Sequence, residues 1–256
     1  MHPDAGHGAD SAGQPWAGRH FQPNAAASDD GSIDPALEAA LAAFGRGETG
    51  QAAVADAVRG ARLLIPLVAH AGDTGEDADG RLVDKTQELS VVTVAGPDGR
   101  SVLPAFTSVS AMTAWNPSAR PVPADGARVA LAAASEQTEL VVLDPTGDTE
   151  FVLRRPAVWA LGQGRPWRPS FEDEEVAAVF DASIGRELAV HRVRLESGDP
   201  GARLVGPELA VVLELAEGLT QEELDAVLAR LAARWAADDV IATRVDSLTV
   251  RLQPSV

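Results

Sequence analysis

The chain has 256 residues, 45% of them hydrophobic, with 38 acidic residues against 21 basic ones and a formal charge of −17. That length and apolar content suffice for one large core or two smaller ones, and the absence of cysteine excludes a disulfide framework, a thiolate metal cluster and a cysteine nucleophile. The acidic balance repels phosphate backbones and argues against nucleic acid as a partner, and no stretch reaches the ~20 apolar residues of a membrane helix.

Residues 1–32 are rich in Gly, Ala, Asp and Pro and lack both the basic start and the apolar run of a secretory signal. They are expected to be a disordered tail on a cytoplasmic protein. From Ile33 a first domain, 33–170, is expected to be α+β, with hairpins and packed helices. Asp34-Pro35 starts a helix carrying Leu37, Leu41 and Phe44, stopped by Gly45-Arg46-Gly47. A short helix over 51–60 places Val54 and Val58 one turn apart.

"ARLLIPLVAH" (61–70) reads as a strand, and Pro66 predicts that it lies at an edge or carries a bulge. Residues 88–108 read as one hairpin turning at Pro97-Asp98-Gly99. Thr107 or Ser108 then caps a helix ending at Asn116-Pro117. A further helix is expected over 125–135, with Val129 and Leu131 to Ala134 buried. Residues 140–155 form another hairpin, in which Phe151 and Leu153 face Val141 and Leu143 across the turn at Pro145–Asp148. Pro156 opens a helix that ends at Gly162 or Gly164. Trp159 is expected to be core and Trp167 more exposed.

A smaller second domain, 171–256, is expected to be ββαβ-like. A helix over 172–180 leads to strands within 185–198 and 206–218. Residues 220–239 give the clearest helix: Thr220 and Glu223 form a capping box, and Leu224, Val227, Leu228, Leu231 and Trp235 share one face. Residues 240–253 read as one long strand or a strand pair, giving the order β–β–α–β.

Few motifs suggest chemistry. The acidic stretch 72–84 invites a calcium reading, but the frame that puts Gly80 at position 6 leaves Gly75 and Thr86 where Asp and Glu are needed. "GQG" (162–164) follows a helix rather than a strand and has no third glycine in place, so it is not a dinucleotide fingerprint. No P-loop or G-x-S-x-G elbow occurs. His2, His7 and His20 are scattered in the tail, and His70 and His191 fall on strands without a recognisable Ser or Asp partner. The reading therefore contains no catalytic residue, metal or cofactor. What stands out is Arg154, Arg155, Arg165, Trp167 and Arg168, since Trp and Arg dominate interface hot spots.

"RLLIPLV", "LPAFTS", Trp115, "LVVLDP" and "FVLRRPAVWALGQGRPW", in that order, resemble the SseB (enhanced serine sensitivity) family, whose N-terminal domain is also labelled a type III secretion SseB domain. The Arg-for-Lys bias is similar to its actinobacterial branch. The likeness covers residues 33–170, and 171–256 resemble the family's smaller C-terminal domain. It implies a bacterial cytosolic α+β protein and transfers no catalytic residue. Together these observations point to a non-enzymatic protein-interaction or regulatory protein with an unknown protein partner. A small-molecule or nucleotide-binding module using a groove beside Phe106, Thr107 and Trp115 is the alternative, and an unrecognised hydrolase the third reading.

Overall fold

The structure, a computed structural model, describes residues 29–71, 74–76, 82–84 and 87–254. Most of the expected N-terminal tail and most of the calcium-like stretch at 72–84 lie outside these residues. Asp34 caps α1 (Pro35–Gly45), its carboxylate accepting the N–H groups of Ala36 and Leu37. Helix α2 (Gln51–Gly60) follows, and Leu37 and Leu41 pack with Val54 and Val58 in the main core.

Strand β1 (Arg62–Ala71) is central rather than peripheral, which corrects the reading of Pro66. The proline survives there because the ladder is interrupted around it. On one side Leu64 exchanges backbone hydrogen bonds of 2.8 Å with Phe106, and pairing with β4 (Gln87–Val91) starts only at Leu67. The short pair β2 (Thr74–Glu76) and β3 (Leu82–Asp84) lies between them in sequence. The expected 88–108 hairpin is thus divided. Its tip is right: β5 (Val94–Ala95) pairs with β6 (Ser101–Ala105), and Gly99 takes a left-handed φ of 83° in the turn. Its first part, β4, belongs to the other sheet.

Ser108 caps α3 (Val109–Trp115) as expected. The next strand, β7 (Arg120–Asp125), was not anticipated because two of its six residues are prolines. Leu64 points its backbone groups toward Phe106, so by alternation Leu63 and Ile65 face Ala124 and Val122 of β7. Pro121 and Pro123 then turn their missing N–H to the open edge, where none is needed. In α4 (Gly126–Ser135) Val129, Ala130 and Ala133 are buried, but Leu131 is 61% exposed because it lies off that stripe.

Strands β8 (Val141–Leu143) and β9 (Phe151–Leu153) pair in the expected register, Val141 opposite Leu153 and Leu143 opposite Phe151. They complete a four-stranded sheet in the order β5-β6-β8-β9, with β6 and β8 parallel. Helix α5 (Arg155–Gly162), with Pro156 in its first turn, covers the core through Ala157, Val158 and Leu161.

After a 3-10 turn at Ser170–Glu172, α6 (Glu174–Ile184) is capped by Asp173. Strands β10 (Val190–Ser197) and β11 (Leu209–Leu215) are antiparallel, and the capping box at Thr220 and Glu223 starts α7 (Gln221–Ala236). Val227, Leu231 and Trp235 are buried with Val176, Phe180 and Leu213, while Leu224 and Leu228 pack at the margin. Residues 239–244 are not strand. Asp238 caps α8 (Asp239–Arg244) through the N–H groups of Val240 and Ile241, overriding the strand preference of those β-branched residues. Strand β12 (Leu248–Pro254) then runs parallel to β11. The fold is α+β.

The β10–β11 connection reaches back to the four-stranded sheet. Ala202 accepts from Val152 N–H at 2.7 Å and joins the main core. Leu204 packs with Val102, Leu140, Val142 and Val152. This loop and the start of α5 place the residues discussed next.

Candidate functional site

The Arg and Trp residues singled out from the sequence separate into two groups. Arg154 is not on the surface: it is 4% exposed. It reaches Asp199 at 2.6 Å and Asp246 at 3.1 Å, and donates to the Gly206 carbonyl at 2.6 Å. Arg100 forks onto the other side of Asp246, both nitrogens at 2.9 Å. Burial pushes the Asp246 carboxyl up, but hydrogen bonds and charge from Arg100 and then Arg154 outweigh it and hold it below the usual range. Glu208, 3% exposed, accepts the N–H groups of Ser170 and Asp246. Burial pushes its carboxyl up despite those bonds. These groups lock the β10–β11 loop and the start of β12 to β9.

Arg155 is turned the other way. It donates to the Ala242 carbonyl at 2.9 Å and the Val245 carbonyl at 2.5 Å, at the C-terminal end of α8. Cations suit that end because it carries unpaired carbonyls and the negative pole of the helix. The same guanidinium sits 4.9 Å from the centroid of Trp159.

The two tryptophans reverse their expected roles. Trp159 is 43% exposed, whereas Trp167 packs against the main core. The buried positions of α5 are Ala157, Val158 and Leu161, which leaves Trp159 on the outer face. Trp167 is half-buried, with its indole N–H buried and without an acceptor among the described residues.

Trp159, Trp167, Arg165 and Arg168 line one cleft of about 390 Å³, whose far wall is Asp173, Thr243 and Arg244. Arg244 is neutralised by Asp173 at 2.8 Å and Glu175 at 2.5 Å. Burial opposes ionisation of Asp173, yet Arg244 and the N–H groups of Glu175 and Val176 bring its carboxyl below the usual range. Arg165 and Arg168 are exposed, and neither side chain has an ion-pair or hydrogen-bond partner among the described residues. The cleft therefore carries uncompensated positive charge on a chain of net charge −17.

The groove expected beside Phe106, Thr107 and Trp115 is differently built. Phe106 is fully buried, its ring 5.2 Å from that of Trp115. Thr107 is also buried: its N–H and hydroxyl donate to Asp144 at 2.8 and 2.7 Å, and Thr149 donates to the same carboxylate at 2.8 Å. Asp144, itself at a left-handed φ of 42°, staples the "LPAFTS" and "LVVLDP" segments together. Trp115 alone of the three lines a neighbouring cavity of about 380 Å³, walled by Val94, Val102, Val142, Val152 and Leu204. Sequence reasoning missed this wall, since Leu204 comes from a loop that follows β10. Among the described residues no group of His, Cys, Asp and Glu is arranged to hold a metal ion, and no helix is long and apolar enough to cross a membrane.

An α+β protein with a fixed corner at α5 is the class that these observations define. Residues 37–160 match the family model of the SseB protein N-terminal domain. The matched segment ends inside α5, so Arg165, Trp167, Arg168 and the α8 wall lie beyond it. No curated protein and no solved structure matches the chain.

Proposed function

We propose that this chain is a non-enzymatic protein-interaction or regulatory protein of the bacterial cytoplasm, of the actinobacterial SseB type, and that the cleft at Trp159 is its docking surface. One observation carries the reading. Two exposed arginines without partners among the described residues line one cleft with an exposed tryptophan on a strongly acidic chain, and Trp and Arg are the residues that concentrate binding energy at interfaces. The buried carboxylates support it, because those of Asp144, Asp199, Glu187, Glu208 and Asp246 are engaged by backbone N–H, hydroxyl or guanidinium groups. Such bonds fit structural roles better than hydrolysis. The test is affinity capture from the native lysate with the full chain and with Trp159→Ala/Arg168→Ala. The variant keeps its melting temperature within a few degrees, since exposed substitutions cost little, and loses the partner. Undiminished recovery of the same partner contradicts the reading.

A second reading, a small-molecule binding module, is favoured by the apolar cavity beside Trp115. Thr146 on its rim holds a left-handed φ of 67°, a conformation that β-branched residues avoid. A metabolite that raises the melting temperature of the wild type but not of a cavity-filling Val94→Trp variant would support it.

A further inference from the structure

We propose that the cleft at Trp159 takes an extended acidic segment of a partner protein, one in which an apolar residue, proline above all, neighbours the carboxylates. The inference rests on the docking reading above and names the chemistry of what docks.

The cations of the cleft differ in what already engages them. Arg244 is already paired with Asp173 and Glu175, and Arg155 is held on the carbonyls of Ala242 and Val245. The unpaired cations of its lining are Arg165 and Arg168. A guanidinium offers a planar fork of donors that matches a carboxylate. The lining also has apolar members, Trp159 with Pro156 and Ala160. A ligand that satisfies both kinds of lining carries a carboxylate and an apolar side chain a short distance apart. Proline-rich segments dock on aromatic-lined grooves because their backbone is already extended.

The cleft wall also reads the backbone. The Gln163 side-chain amide lies in it and has no hydrogen-bond partner among the described residues. It has both donors and an acceptor to offer. An extended segment presents its own N–H and C=O groups to such an amide, whereas a helix has already paired them. The walls are preformed: α5 is tied to α8 by Arg155, and α8 to α6 by Arg244, so little ordering on the protein side opposes binding.

The experiment is an array of eight-residue peptides that vary Glu and Asp against Pro, Leu and Phe, each printed beside its Gln or Asn counterpart and probed with the full chain. The strongest binders are then measured in solution by fluorescence anisotropy. Acidic peptides are expected to bind at least about tenfold more tightly than their amide counterparts, the scale of a carboxylate–guanidinium pair at an interface. Arg165→Glu/Arg168→Glu removes that preference with the melting temperature held, Arg165→Gln/Arg168→Gln reduces it, and Trp159→Ala weakens binding of every peptide. Equal binding of acidic and amide peptides overturns the proposal, as does an acidic preference that survives both arginine double variants. Displacement of the peptides by pyrophosphate or ATP at matching affinity also overturns it, in favour of a small-anion site. If native capture depends on Trp159 while the array shows no acidic preference, the docking reading stands and the acidic class falls. If capture is also indifferent to Trp159, both fall.

Discussion

The guanidinium of Arg155 stacks 4.9 Å from the centre of the Trp159 ring while both of its terminal nitrogens hold carbonyls at the end of α8. One side chain thus fixes the exposed aromatic of α5 and joins it to the opposite wall of the cleft. Removing it breaks two charged hydrogen bonds and a stacking contact. Arg155→Ala is expected to lower stability by about 1.5–3 kcal/mol in urea unfolding. Arg155→Lys recovers little, because a single ammonium cannot hold both carbonyls and lie flat on the ring.

Arg154, next in the chain, has a different consequence. Its side chain is 5% exposed, and those of Asp199 and Asp246 are 1% exposed. Arg154→Ala leaves Asp199 without its cation in a buried site, and such losses cost about 3–5 kcal/mol. The expected result is a large fall in the urea midpoint. Arg168→Ala, on the exposed rim, stays within about 0.5 kcal/mol of wild type. Equal effects from the two would mean that the Arg154 network is not the internal lock described above.

Stability should depend on pH through the buried carboxyls. Glu187 is held below its usual range chiefly by the hydrogen bonds of Arg230, against burial, and further by Arg234; Asp246 is also lowered. A depressed folded pKa means that the unfolded chain binds more protons as the pH drops, so this stability is present above about pH 5 and lost as the pH falls through the carboxylate range. Glu208 acts in the opposite sense. Its raised pKa stabilises the fold only while it is protonated, and that contribution is lost as the pH rises through its folded value. Glu187→Gln is expected to lower stability at pH 7 and to flatten the curve between about pH 3 and 5. An unchanged slope would contradict the assignment.

Much of the fold was legible because its signals are local. Asp34-Pro35 fixes α1, and the Thr220–Glu223 box with the stripe ending at Trp235 fixes α7, each with residues at most a few turns apart. The misreadings arose where a distant contact decides. Val240 and Ile241 favour strand, and Asp238 wins by capping. Pro121 and Pro123 hide β7 unless its edge is known. Arg154 meets its partners 45 and 92 residues away, so nothing near it in the chain marks it as buried. The candidate cleft was half visible: Arg165 and Arg168 could be named, but the exposure of Trp159 follows from which face of α5 covers the core, and the α8 wall from the far end of the chain.

The stripe on α7 can be graded by burial. Leu231 is fully buried, whereas Leu228 packs at the margin of the second core. Leu231→Ala is expected to cost about 2–5 kcal/mol and Leu228→Ala distinctly less. Leu131→Ala, at a residue 61% exposed on α4, should change stability by less than about 0.5 kcal/mol. Thermal and urea unfolding of the three variants check the order, and a reversed order of the two α7 variants would place the helix differently on its sheet.

The most direct test of the docking surface is hydrogen–deuterium exchange on the full chain with and without its captured partner. The account predicts slowed exchange over residues 156–168 and around Thr243 and Arg244, with the rest of the chain unchanged. Protection confined to other segments, such as those lining the cavity beside Trp115, would contradict it.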